Sequence, residues 1–260
     1  MSDIEYEVEQ GVGTILLNRP ERKNAFTLDM VEQWAQILVD ARTDPDVHVL
    51  VVTGAGSAFC SGVDLDLNYA EPPTPLRRKR NLQERVHRVP LALEDLDKPV
   101  IAAVNGLAVG AGMDMALMCD MRILARSARM SEGYIRVGTV PADGGCYYLP
   151  RLVGTAKALE LLLTGDFVSA EEAVRLGIAN QVVDDDDFPG AVATLAAKIA
   201  GASPLAVRAI KRATYQSARS DLRTALDLIS SHMAVFASTA DAAEALAAFR
   251  DKRPPTFTGA

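Results

Sequence analysis

The 260-residue chain is 49% hydrophobic and 23% charged, a mix that excludes a disordered, collagen-like or fibrous polymer. Its net charge of −7 and pI near 5.1 argue against a general grip on nucleic-acid phosphates, while leaving room for a local basic pocket around one anionic ligand. Three scattered cysteines and three histidines without ligand spacing count against a disulfide framework and against zinc catalysis. No apolar run approaches the roughly 20 residues of a membrane span. The acidic start MSDIEYEVEQ lacks the basic-then-apolar order of a signal peptide, so the expectation is a cytoplasmic protein with no membrane partner.

In chain order, the apolar run at 12–18 (VGTILLN), ended by Arg19-Pro20, predicts a strand. Met30, Val31, Trp34, Ile37 and Leu38 recur near helical spacing and predict a helix over 28–42. The β-branched run at 47–53 (VHVLVVT) predicts a second strand, stopped by Gly54-Ala55-Gly56. Ala58 to Asp64 (AFCSGVD) then reads as a glycine-containing turn. Segment 66–98 breaks the rhythm with Pro72, Pro73, Pro75 and the basic run Arg77-Arg78-Lys79-Arg80. A solvated loop leading into a helix accounts for it, and so does a lid that contacts an anion or shapes the substrate pocket. Residues 99–104 (PVIAAV) predict a strand ending at Asn105-Gly106, a second glycine turn (106–112) opens a helix over 110–119, and 121–125 is a further strand. This alternation predicts an α/β layer structure. From about 155 the chain reads as mostly helical. Ser169 and Glu172 form a capping box for 170–176, ended by Gly177, and a strand at 178–183 precedes the acidic turn Asp184 to Asp187. Alanine-rich helices at 190–201, 204–218, 221–238 and 240–250 close the chain, covering a core or a subunit interface.

Candidate chemistry sits in the two glycine turns and in the acids near them. A helix N-terminus offers unpartnered N–H groups and partial positive charge, fit to bind an anion or stabilise an oxyanion. Neither turn carries Gly-Lys-Ser/Thr, and the second runs G-x-x-x-G-x-G rather than G-x-G-x-x-G. Taken alone, both read first as tight turns that pack helix on strand. Asp114, just inside the helix opened by Gly110 to Gly112, suits either the helix dipole or catalysis. Asp143, in Pro141-Ala142-Asp143-Gly144-Gly145, is a turn residue or an acid, and Glu132 and Tyr134 lie between the two aspartates in sequence. Cys119 and Cys146 read as small buried hydrophobes, with no histidine nearby in sequence to activate them.

Several ordered motifs together resemble the crotonase superfamily, which includes the enoyl-CoA hydratases and isomerases. They are Leu17-Asn18-Arg19-Pro20 with Lys23-Asn24-Ala25, the turn Ala58 to Asp64, the block Lys98 to Asp120, and Gly138 to Gly145 with Leu149-Pro150-Arg151. Leu163-Thr164-Gly165 and Ala173 to Gly177 continue the match. The resemblance implies an α/β spiral of ββα units over about 1–200, then a helical region at 201–260 that makes a trimer or a dimer of trimers. It implies a coenzyme A thioester as substrate, with no separate cofactor and no metal. The backbone N–H groups of Val63 and Ala111 would form an oxyanion hole, each donor worth roughly 3 kcal/mol to an enolate. Arg22, Lys23, Ala25, Ser61, Gly62, Asp64, Leu65 and Gly110 fall where the family contacts the substrate or its coenzyme. Phe249, Lys252 and Arg253 would reach in from a neighbouring subunit.

The departures bear on the reaction. Hydratases of this family use two glutamates, and here Asp114 and Tyr134 stand at those positions. Dienoyl-CoA isomerases are similar in having aspartate at both the Asp114 and Asp143 positions. The expected mechanism is therefore double-bond isomerisation of an enoyl- or dienoyl-CoA, with Asp114 and Asp143 facing each other across the acyl chain. Tyr134 would orient substrate, and Glu132 would be a reserve acid. Hydration of a 2-enoyl-CoA and non-catalytic acyl-CoA binding are the alternatives.

Overall fold

The computed structural model describes residues 2–65 and 74–260, so Pro72 and Pro73, and part of the expected lid, lie outside the described residues. The chain opens with a hairpin of Ile4–Glu9 (β1) and Val12–Leu17 (β2), joined by Gln10 and Gly11 at φ 50° and 83°. Positive φ at both central residues matches the twist of a tight hairpin. The acidic start therefore supplies a strand that the sequence reading left out. Leu28–Thr43 (α1) follows, with Thr27 capping the N–H of Met30. Its buried stripe, Met30, Val31, Trp34, Ala35, Leu38 and Ala41, is the face predicted by periodicity.

From here each winding of the chain gives one strand to each of two sheets. Val49–Gly54 (β3), Val100–Val104 (β5) and Met121–Ala125 (β7) join the larger sheet; Ala58–Cys60 (β4), Leu107–Val109 (β6) and Arg129–Ser131 (β8) join the smaller. With Val168–Ser169 (β9) and Gln181–Val183 (β10), the orders are β1-β2-β3-β5-β7-β10 and β4-β6-β8-β9. The pairings are parallel apart from β1–β2 and β8–β9. This is the expected spiral of paired strands and helices. The short strands of the smaller sheet are missing from the sequence reading because two of them lie inside the glycine turns. Residues of β5 are all buried, as a parallel strand covered on both faces requires.

The basic run Arg77 to Arg80 lies exposed in Pro75–Asn81 (α2), a helix capped by Thr74. A π-helical stretch, Leu82–Val86, leads to Arg88–Asp95 (α3), which buries Val89 and Leu93. The central helix, Ala111–Met118 (α4), is buried at all eight residues. Its C-terminal carbonyls are held by a buried arginine: Arg122 donates to Ala116, Leu117 and Cys119, and to Ile178. Gly145–Val153 (α5) begins ten residues before the helical part predicted by sequence, and Cys146 on its first turn is exposed, correcting the expectation of burial. Thr155–Thr164 (α6), Ala170–Arg175 (α7) and Phe188–Ala200 (α8) complete the body; Ser169 caps α7 by accepting from the N–H of Glu172.

Pro204–Ser217 (α9), Leu222–Phe236 (α10) and Ala240–Asp251 (α11) form the closing helices. Ion pairs Arg208–Asp97 (2.9 Å), Lys211–Asp120 (2.8 Å) and Arg219–Glu94 (2.8 Å) tie α9 and its end to the body. α10 buries no residue, and Phe249 on α11 is 84% exposed. No single helix among the described residues is long and apolar enough to cross a membrane.

Candidate active site

Two glycine turns meet at one place. Gly110 ends β6 at φ 54° and ψ −122°, a conformation open to glycine and hostile to other residues, and donates its N–H to Ser131 of β8. The chain then turns directly into α4. Gly112, on the first turn, lies so close to β4 that a Cβ there would collide with the carbonyl of Cys60. Across from it, Val63 makes a parallel bridge with Phe26. Phe26 donates to the Gly62 carbonyl (2.9 Å) and Asp64 donates to the Phe26 carbonyl (3.0 Å). That pattern leaves the Val63 N–H outside the ladder. A Cβ on Gly62 would stand 3.6 Å from the Ala111 nitrogen, so the two turns face each other. Neither the Val63 nor the Ala111 N–H is hydrogen-bonded among the described residues. Two free amides beside a helix N-terminus are an arrangement suited to a developing oxyanion.

Below these amides sit the acids. Asp114, on the buried α4, is wholly inaccessible; Glu132 is 1% and Asp143 6% exposed. Tyr134, in the helical turn Gly133–Val137, points its hydroxyl between the aspartates, 2.7 Å from Asp114 Oδ2 and 3.0 Å from Asp143 Oδ2. The tyrosine therefore occupies the space between the aspartates that the sequence reading gave to an acyl chain, and the two carboxyl groups are joined through it. Glu132 belongs to the same cluster: a Cβ on Gly145 would lie 2.5 Å from Asp114 Oδ1 and 2.9 and 3.0 Å from the Glu132 oxygens. Asp114 Oδ1 and both Glu132 oxygens have no donor among the described residues.

Crowding of buried carboxyls moves their titration upward. Burial first, then the Asp114 charge, pushes Glu132 up to about 10. Burial pushes Asp114 up to about 7, opposed by the hydrogen bond from Tyr134 and reinforced by Asp143. Asp143 is also raised by burial, with Tyr134 and the His87 ring acting against the rise. Burial raises the Tyr134 hydroxyl as well, so the phenol keeps its proton. Glu132 thus keeps its proton at neutral pH, and Asp143 is the member whose rise is opposed by a nearby imidazole.

His87 is the residue that sequence reasoning missed. It follows the π-helical stretch and its Nε2 donates to the Ala142 carbonyl at 2.9 Å, bracing the loop that carries Asp143. The 55 residues separating it from that loop hid this in the sequence.

The N-terminal loop closes the opposite side. Ser61 donates to the Lys23 carbonyl (2.9 Å), and Asn24, buried, ties the loop to Ala55 and Ala58. Arg22 and Lys23 are exposed, Ala25 is buried and Leu65 is exposed. Asp64 is buried and paired with Arg19 (3.0 Å) and Arg22 (3.2 Å). Its carboxylate braces the loop through these two pairs. Phe249, Lys252 and Arg253 lie at the end of α11, where Arg253 pairs with Glu244, and nothing among the described residues joins them to this site within the chain. Clefts of about 1220 Å³ beside α8 and about 800 Å³ beneath α9 are lined by none of the acids, so the site is recognised by its chemistry and not by the size of an opening. Among the described residues no group of three or more His, Cys, Asp or Glu side chains is arranged to hold a metal ion.

Comparison with known proteins agrees with this geometry. Residues 7–260 match the family model for enoyl-CoA hydratase/isomerase. The chain is 40% identical to the 1,2-epoxyphenylacetyl-CoA isomerase of Escherichia coli over 97% of each protein. It is 37% identical to the (E)-benzylidenesuccinyl-CoA hydratase of Thauera aromatica over 98% of each. The crystal structure of an enoyl-CoA hydratase from Bacillus anthracis superposes with a TM-score of 0.94 at 33% identity, covering 100% of both chains.

Proposed function

The chain belongs to the enoyl-CoA hydratase/isomerase family of the crotonase superfamily, and from that premise we propose that it isomerises the double bond of an enoyl- or dienoyl-CoA through an oxyanion-stabilised enolate. Action on an acyl-CoA thioester is what the names of the relatives share, and the choice of reaction rests on the acid set of this chain. The observation that carries the reading is the convergence of Asp114 and Asp143 on one hydroxyl, on the helix and loop that flank the Ala111 amide.

The thioester carbonyl would accept from the Val63 and Ala111 N–H groups, so that negative charge gathers there when a proton leaves C2. Asp143, slightly exposed and opposed in its rise by His87, is the base; Asp114, wholly buried beside protonated Glu132, is the acid that returns a proton further along the chain. Arg22 and Lys23 would meet the anionic coenzyme from the exposed loop. The exposed apolar faces of α10 and α11 support assembly into a homotrimer or a dimer of trimers. Assay of Asp114→Asn and Asp143→Asn on 3-enoyl- and 3,5-dienoyl-CoA tests the reading: each variant loses at least about 100-fold in kcat. Undiminished isomerisation in both would end it.

Hydration of a 2-enoyl-CoA is the second reading, favoured by the name of the Thauera relative. Incorporation of solvent oxygen at C3 separates it from isomerisation.

A further inference from the structure

We propose that the Tyr134 hydroxyl is a proton relay that carries the proton from Asp143 back to Asp114 after each turnover. The inference rests on the acid–base assignment above and concerns what that assignment leaves unsolved. When the base has taken one proton and the acid has given another, the pair is left in the wrong protonation state. Both groups are then buried, away from bulk water.

Proton counting supplies the argument. A phenol has one proton to donate and can accept others on its oxygen. Tyr134 lies within hydrogen-bond distance of both Asp114 Oδ2 and Asp143 Oδ2, so it donates to only one of them. The other contact is a hydrogen bond only when that carboxyl carries a proton and donates to the phenol oxygen. The array therefore holds one protonated aspartate, one neutral tyrosine and one aspartate anion. Its two mirror arrangements differ only in where the protons sit along these two hydrogen bonds.

The reset converts one arrangement into the other. The O–H bond of Asp143 breaks as a new O–H bond forms on Tyr134; the old O–H bond of Tyr134 breaks as one forms on Asp114 Oδ2. The negative charge passes from Asp114 to Asp143, the phenol is neutral before and after, and no other reactant takes part. The ring lies alongside Gly110, the Thr139 N–H (3.1 Å) holds its backbone carbonyl, and its hydroxyl is placed by the two aspartates. Glu132 beside Asp114 and His87 behind Asp143 are the titratable groups at the two ends of the array.

The test follows deuterium in the wild-type enzyme, acting on 3-enoyl-CoA dideuterated at C2, in ordinary water. A deuteron taken by Asp143 moves to Tyr134 in the first reset and to Asp114 in the second. The relay therefore puts deuterium at C4 of the product from the third turnover onward and leaves none there in a single turnover. Deuterium at C4 in the single-turnover product would mean that one residue both takes and returns the proton, and its absence from many turnovers would mean resetting by solvent; either overturns the relay. Tyr134→Phe gives an independent readout: a burst near one equivalent followed by a steady state slower by about tenfold or more. A uniform slowing of both phases, or no slowing, overturns the relay while leaving isomerisation intact. Absence of isomerisation in the wild type overturns the acid–base reading and the relay with it.

Discussion

Glu132 and Asp114 direct their carboxyl oxygens at the same interior point, beside the Cα of Gly145, and among the described residues no cation pairs with either. Two such groups stay together only when protons are shared between them. Because the native pKa of Glu132 is raised, the folded state binds its proton more tightly than the unfolded chain does. Stability from this group is complete below about pH 4.5 and is lost as pH rises toward about 10. Glu132→Gln keeps a donor toward Asp114 and abolishes the titration. Relative to its standing at pH 5, the variant is expected to gain on the wild type by about 4–5 kcal/mol at pH 8.5, roughly 1.4 kcal/mol for each pH unit over which only the unfolded chain gives up the proton, measured by urea unfolding at both pH values. A constant difference at the two pH values would contradict the assignment.

Gly112 carries the second prediction. The first turn of α4 approaches β4 so closely that any side chain at this position meets the backbone carbonyl of Cys60, which cannot rotate away. Gly112→Ala must push the helix off the strand. The expected cost is about 3 kcal/mol, a fall in Tm of roughly 10 °C. The same displacement separates the Ala111 amide from the Val63 amide. At temperatures where the variant is fully folded by circular dichroism, kcat should drop at least about 100-fold, the effect of losing one oxyanion donor.

Much of this was legible in the sequence, because it depends on local patterns. The α1 stripe, the buried strands β3, β5 and β7, and the closing helices all announce themselves by periodicity or β-branched runs. The small sheet does not. Its strands are two or three residues long, too short to alternate visibly, and β4 and β6 sit inside turns whose glycines dominate the reading. At the site, Asp114, Glu132, Tyr134 and Asp143 were all named from sequence, yet their arrangement was not. The tyrosine between the aspartates, the proton sharing with Glu132, and the brace from His87 are contacts between residues up to 55 positions apart, set by packing alone. Asp64 shows the reverse: a position matching a ligand-contacting motif whose side chain the fold uses for itself.

The closing helices give a prediction about assembly. Leu222, Leu226, Ile229 and Met233 recur at i, i+4, i+7 and i+11 on α10 and are 72%, 54%, 40% and 63% exposed. Such a stripe is one face of a helix, and an exposed apolar face of that length is expected to be covered by a second copy of the chain. Ile229→Asp with Met233→Asp places two charges in it. Light scattering should report a multiple of 27.8 kDa for the wild type and a shift toward the single-chain mass for the double variant. Equal masses for the two proteins would remove the stripe from the interface.

The Asp64 ion pairs set the last expectation. Arg19 is mostly buried against Asp64, whereas the Arg22 side chain is 44% exposed while still touching the same carboxylate. Arg22 thus braces Asp64 from a partly exposed position, and its expected role is to contact the anionic part of a coenzyme A substrate. Such a contact is far from the reacting carbons and is made equally in ground and transition states, so its loss appears in KM and not in kcat. Arg22→Ala should raise KM for the acyl-CoA about tenfold at low salt, a loss of about 1.4 kcal/mol, and the penalty should shrink as ionic strength screens the charge. Asp64→Asn behaves differently. It leaves the mostly buried Arg19 with only its longer, exposed partner Asp3 (3.6 Å), so it should cost about 1–2 kcal/mol of stability and, through the adjoining Val63, lower kcat as well. Steady-state kinetics at 50 and 300 mM salt (Debye lengths of about 14 and about 6 Å) separate the two, and an equal loss of kcat in both variants would show that Arg22 serves the oxyanion turn and not the coenzyme.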